Sequence, residues 1–180
     1  MTDSTGARAV TTNGSPTPGD APSYPRVVGP GLLLGFGLGG FVDGILLHQV
    51  LQWHHMVTGS GPDAARYPDT TVEGLRVNTL LDGVFHAATW AWVVLGVVGL
   101  WLRLRGARHA LPVAALVGLL LAGWGVFNVV EGVLNHHLLG LHHVRSGAHQ
   151  TAYDLAFLAL GVMLAVGGWL VYRSAARRLP

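Results

Sequence analysis

The sequence predicts an all-α protein, a transmembrane four-helix bundle built from two parallel two-helix repeats. Three observations carry that expectation. Of 180 residues, 51% are apolar and only 11% are charged, whereas a soluble domain has about 25% charged residues. The apolar residues fall into four runs, each long enough for the roughly 20 helical residues that cross a hydrocarbon core. An acid–histidine pattern occurs twice, once as Asp43-Gly44, His48 and His54-His55, and again, 88 residues on, as Glu131-Gly132, His136 and His142-His143.

Residues 1–30 are rich in Thr, Ser, Gly, Pro and Ala without apolar periodicity, the composition of a disordered tail. They lack the charged and apolar regions of a signal peptide. The transmembrane domain is expected over 31–174, with apolar segments at about 31–56, 75–104, 111–141 and 151–172. Strands are a poor reading of these segments, because an open sheet leaves unpaired edges in lipid and the runs do not alternate like barrel strands. Glycine runs such as Gly35-Phe36-Gly37-Leu38-Gly39-Gly40 let membrane helices approach closely. They are read as packing faces, within the chain or between copies in a homo-oligomer.

The arginines set an expected orientation. Eight lie in the tail, the 103–110 loop and the C-terminal segment, and three (Arg66, Arg76 and Arg145) lie on the other side. The positive-inside rule then puts both termini in the cytoplasm of a cell (inner or plasma) membrane. Loops 57–74 and 144–150 face outward, with Trp53 near the outer interface and Trp101 and Trp169 near the inner one.

The duplication extends beyond the acid–histidine pattern. Gly35-Phe36-Gly37 aligns with Gly123-Trp124-Gly125, and Asn78-Thr79-Leu80-Leu81-Asp82 aligns, at a spacing of 72, with Gln150-Thr151-Ala152-Tyr153-Asp154. Each repeat is thus a helical hairpin, one over about 31–104 and the other over about 111–174. Two crossings return the chain to its starting side, so the hairpins run parallel about an axis along the membrane normal.

Ten histidines in a chain with no cysteine and no lysine are the compositional anomaly. Without cysteine there are no disulfides or thiolate sites, and a metal must be held by imidazole and oxygen. No basic run with interleaved aromatics points to nucleic acid. All the histidines but His109 gather at the outer end, where Asp43, Asp82, Glu131 and Asp154 also fall. A charge at the centre of a membrane helix costs at least about 2.5–3.5 kcal/mol, so these groups need one another, water or a metal.

The deepest of them, His48, His86 and His136 with the four acids, are the first candidates for metal ligands. His54, His55, His142 and His143, where helix meets water, are ligand or surface groups on equal terms. Gln52, Asn78, Asn135 and Gln150 are candidates for hydrogen-bonding groups behind the ligands, while His137 and His149 have no counterpart in the other repeat. At about 100° per residue, the first helix splits into two stripes, Asp43 with His54 and His48 with Gln52 and His55. The third helix likewise separates Glu131, Asn135 and His142 from His136 and His143. Regular helices therefore imply either several neighbouring sites, including a dinuclear one, or a single metal with carboxylates and amides fixing the imidazoles. Copper, iron and zinc all suit such ligands. A b-type haem held by His48 and His136 is an alternative, and so is a proton or metal-ion transporter, although the inner segments 90–101 and 113–121 are almost wholly apolar.

The strings Phe41-Val42-Asp43-Gly44 through Leu51-Gln52-Trp53-His54-His55-Met56, and Asn78-Thr79-Leu80-Leu81-Asp82-Gly83-Val84-Phe85-His86-Ala87, resemble the DUF2243 family of small bacterial membrane proteins over about residues 30–174. The resemblance implies a bacterial multi-pass membrane protein, and it implies no reaction, since the family name marks a domain of unknown function.

Overall fold

The computed structural model describes residues 26–58, 65–107 and 110–177. The tail expected over residues 1–30 lies outside these apart from its last five residues, and so does His109. The described residues form four helices, each long and apolar enough to cross a membrane, and no strand. Helix α1 spans Val28–Asp43 and continues as a π-helix over Gly44–Val50. Helix α2 spans Val72–Leu104, and α3 spans Val113–Glu131 with a π-helical continuation over Gly132–Leu138. Helix α4 spans Gln150–Ala176.

Local chemistry accounts for several boundaries. The Thr71 hydroxyl accepts from Gly74 N (3.1 Å) and caps α2. Glu73 in its first turn and Arg103 in its last both suit the helix dipole. Pro112, which has no N–H to leave unpaired, precedes α3. The apolar runs of the first and third segments extend to about 56 and 141, but the helices stop at Val50 and Leu138. Gln52 and Gly140 then take positive φ values of 49° and 58°, a left-handed turn that continues no helix. The apolar residues beyond each helix lie where the chain doubles back over the bundle end.

Helices α1 and α3 are the inner pair. Helix α1 packs on α2 and α3, and α3 packs on α4, so the order across the bundle is α2, α1, α3, α4. The outer faces of α2 and α4 expose rows of large apolar residues, among them Leu80, Val84, Trp90 and Leu95 on α2 and Leu155, Met163, Val166 and Leu170 on α4. In a bilayer these rows meet lipid. A small apolar core of Val27, Leu100 and Leu119 closes the end away from the histidines.

Between the two ends, glycine sets the helix spacing. A Cβ on Gly35 would run into the Leu120 backbone, and one on Gly123 into the Leu32 backbone. The same happens for Gly37 against Val93 and Thr89, and for Gly125 against Ala165 and Gly161. These contacts recur at the spacings of 88 and 72 read from the sequence. The glycine-rich faces are thus used inside the chain, where backbone-to-backbone contact replaces the side-chain interdigitation of a soluble core.

Gly125→Ala should therefore lower the thermal midpoint in detergent by the equivalent of about 1–3 kcal/mol, the usual cost of overpacking. Gly167→Ala, where an added Cβ meets nothing within 4 Å, should leave the midpoint unchanged or raise it. Paired thermal melts followed by circular dichroism check the contrast.

Candidate metal centre

The π-winding creates the site. Its backbone bonds run from i to i+5 rather than i to i+4, so residues five apart stack on one face. Asp43 and His48 are five apart, as are Glu131 and His136. His48 Nε2 lies 3.5 Å from Asp43 Oδ2, and His136 Nε2 lies 3.1 Å from Glu131 Oε2. Asp43 and His48, which regular α-geometry puts on different stripes, thus come to face one another, as do Glu131 and His136. The turns after each π-segment then fold His54 and His142 back into the same space, where both are almost fully buried.

The two halves hold each other through these returning histidines. His54 Nδ1 donates to the Val144 carbonyl (2.8 Å), and His142 Nδ1 donates to the Met56 carbonyl (3.1 Å). A carbonyl only accepts, so Nδ1 carries the proton in both rings and Nε2 is the nitrogen turned to the centre. The rings of His54 and His142 stack at 4.4 Å between centroids, and His48 meets His54 edge-on, also at 4.4 Å.

Asp82 and Asp154 sit behind the centre as anchors. Asp82 accepts from His48 Nδ1 (2.9 Å), His55 Nδ1 (2.7 Å), the Met56 amide (3.0 Å) and Gln49 Nε2 (3.3 Å). Asp154 accepts from His143 Nδ1 (2.7 Å) and the Val144 amide (2.9 Å), and its other close neighbour is His136 Nδ1 at 3.5 Å. Each anchor thus ties a returning turn to an outer helix, and Asp82 also fixes a ring of the inner helix, that of His48, through Nδ1. This is the carboxylate–histidine arrangement that orients metal-binding imidazoles elsewhere.

Two sets of side chains bring ligand atoms within 4.8 Å of one another, His48 with His54 and His142, and Glu131 with His136 and His142. His54 Nε2 is buried without a hydrogen-bonding partner, as are Asp43 Oδ2 and Glu131 Oε2. The pair His142 Nε2 and Glu131 Oε1 stands 2.8 Å apart. With a proton already on Nδ1, that approach requires either a further proton between the two atoms, on the ring or on the carboxyl, or a metal ion in its place. Burial pushes the His54 ring far down, to about 2, with the neighbouring His142 and His48 adding to the shift. That ring is a neutral imidazole with an available lone pair.

The remaining candidates are placed differently. His86 stands apart from both ligand sets; its Nδ1 donates to the Asp82 carbonyl of its own helix (2.7 Å), and its Nε2 side packs where Gly44 leaves room. His55 and His143 engage the anchors rather than the centre. Asn135 donates to Glu131 (3.4 Å). Asn78 joins the returning turn to the next connector, accepting from the Val57 amide (3.0 Å) and donating to the Tyr67 carbonyl (3.0 Å). Gln52 is exposed at its left-handed turn, and Gln150 begins α4. His137 and His149 are exposed. Sequence reasoning missed Gln49, which a π-helical register would have put near Asp82. It also missed the carbonyls of Met56 and Val144, which no residue type announces.

Four membrane-length helices with this polar cluster define an integral membrane protein whose His and Glu groups are positioned to hold a metal ion. The family described as predicted membrane protein (DUF2243) matches residues 30–175. The chain belongs to that family. No curated protein and no solved structure matches it.

His54 is neutral in the fold, so below its ordinary value of 6.5 the unfolded chain takes up a proton that the folded chain does not. Its contribution is complete above that pH and falls, as pH drops, by up to about 1.4 kcal/mol per unit. Beyond the Val144 carbonyl, the titratable groups around it are His142, His48 and Glu131. The stability advantage of metal-free wild type over His54→Gln should shrink between pH 7 and pH 5 in thermal melts.

Proposed function

We propose that the protein is an integral membrane metalloprotein that holds a first-row transition-metal ion, copper, iron or zinc, at the end of the bundle where the histidines meet. The observation that carries this reading is the set of inward Nε2 atoms on His48, His54 and His142, each ring held from behind through Nδ1 by an acceptor. Glu131 and His136 adjoin as further ligands. Metal–nitrogen bonds of about 2.0–2.1 Å put tetrahedral ligand atoms about 3.4 Å apart, which small ring rotations reach from the present spacing. His142 turns one nitrogen, Nε2, to the centre and belongs to both sets, which favours one centre over two separated ones. Asp82 and Asp154 act in this reading as orienting groups and not as ligands.

A divalent ion also answers the charge problem. Asp43, Asp82, Glu131 and Asp154 are all buried at one end of a membrane bundle, and unpaired carboxylates there are costly. The ion would serve as a Lewis acid or redox centre, or be passed to a partner. Haem has less support, because the His54 ring stands between His48 and His136, at 4.4 and 6.4 Å from their centroids, where a porphyrin would have to lie. Transport has less support because the polar groups gather at one end. We read the hairpins as a duplicated unit, supported by contacts recurring at spacings of 88 and 72. We place both termini on the cytoplasmic side of the cell membrane, supported by the arginine distribution.

Elemental analysis of detergent-purified protein, without added metal, tests the reading. Near-stoichiometric metal is expected in wild type, falling at least tenfold in His54→Ala and His142→Ala. His86→Ala and His149→Ala should retain it. Less than about a tenth of an equivalent in wild type, alike in all variants, would overturn the assignment.

A further inference from the structure

Beside the metal centre lies a second feature that ion binding does not use. Helices α1 and α4 do not pack on one another; both lean on α3, and the gap between them holds a cavity of about 290 Å³. Leu46 of α1 and Leu160 of α4, both well exposed, flank it, so it opens sideways toward the lipid. Trp53, Trp124, Tyr153 and Phe157 give it an aromatic lining.

Only two acidic or amide side chains reach this cavity, Asp43 and Asn128, at 6% and 2% exposure. Asp43 Oδ2 and Asn128 Oδ1 are both buried acceptors without a hydrogen-bonding partner. Asn128 Oδ1 is a bare acceptor, and Asp43 Oδ2 has only the loose contact with His48 Nε2 at 3.5 Å; in an apolar pocket this is expensive unless a donor meets it, and a lipid tail brings none. The related place across the bundle is different. There the position equivalent to Asn128 is Gly40, and the Phe127 ring packs on Phe36 and Phe85 at 5.4 and 6.2 Å between centroids. The pairing of an acid with a buried amide belongs to this side, since Gly40 brings no side chain to the other.

We propose that this cavity binds a small bilayer-soluble phenol- or quinol-type molecule, which enters between α1 and α4 and donates its hydroxyl to Asn128 Oδ1, beside Asp43. The aromatic walls suit a planar ring body. The volume lies at the lower end of ligand pockets, about 300–1,000 Å³, which suits a ring head group and excludes a whole lipid. Asp43 Oδ2 is also 3.5 Å from His48 Nε2, so the bound hydroxyl stands next to the metal centre. The proposal names a ligand class for that end of the bundle, but it rests on the cavity and its two acceptors, not on the ion.

Quenching of tryptophan fluorescence by 4-bromo-2,6-dimethylphenol, compared with its O-methyl ether, tests it on the purified protein in detergent, with metal content measured on the same samples. Saturable quenching by the phenol is expected, at least tenfold tighter than by the ether, which cannot donate. Trp124→Phe should reduce its amplitude. Asn128→Leu should bring the phenol down to the ether's affinity, and Ala156→Phe, which fills the cavity, should abolish saturable quenching by both. Equal or non-saturable quenching by phenol and ether in wild type would overturn the proposal. So would unchanged phenol binding in either Asn128→Leu or Ala156→Phe; if Ala156→Phe does not fold, Asn128→Leu decides alone. Phenol binding to protein that carries no metal would remove the metal reading and leave this one standing.

Discussion

A carboxylate cannot stay charged and alone inside a membrane bundle, and the architecture at the histidine end follows from that constraint. Asp43 and Glu131 are followed five residues later by His48 and His136, a spacing that regular α-helix would turn away from the acid. The backbone yields instead. Both inner helices change to π-winding immediately after the acid, giving up regular hydrogen-bond geometry in exchange for acid–imidazole contact. π-Segments of this kind are uncommon and concentrate at functional sites. Their occurrence at matching positions in both hairpins ties them to the buried charges rather than to a local accident of sequence.

The same constraint organises what lies outside the helices. The turns after Val50 and Leu138 carry apolar residues, yet they return over the bundle end and send His54 and His142 inward. Each returning histidine is held by a carbonyl of the opposite hairpin, and each turn is tied to an outer helix by Asp82 or Asp154. The two hairpins are therefore joined by polar contacts at one end and by glycine-mediated backbone contact along the rest of their length. Removing one partner of such a buried pair strands the other, at a cost of about 3–5 kcal/mol, so the site and the stability of this end are coupled.

The hairpins are matched in their anchors and differ elsewhere. Gln49 and the buried amide of Asn128 have no like residue across the bundle, where His137 and Gly40 take the corresponding positions, and Phe127 packs beside Gly40 on Phe36 and Phe85. The asymmetry puts the lateral cavity on the Asp43 side. Arg145, which lies over Trp53 and Tyr153 and bonds the Tyr153 hydroxyl at 2.8 Å, covers the polar end of that same side.

Four membrane helices, the glycine packing faces and the gathering of acids and histidines at one end were legible in the sequence, because each depends on composition or on spacing that survives small changes in helical winding. Asp43, His48, Asp82, Glu131, His136 and Asp154 stood out as rare polar groups in apolar runs. The tertiary structure decided which of them face one another. A regular period of 3.6 residues separates Asp43 from His48, and only the i-to-i+5 winding reunites them. Nothing in the residue types distinguishes His54, turned inward, from His55, turned to Asp82; the left-handed turn at Gln52 makes that choice. His86 looked as deep as His48, yet its own helix carbonyl takes its Nδ1 proton. Sequence by itself determined the solvent, the helix count and the kinds of ligand, while the pairing of those ligands depended on backbone winding and on carbonyls from the opposite hairpin, which residue identity does not encode.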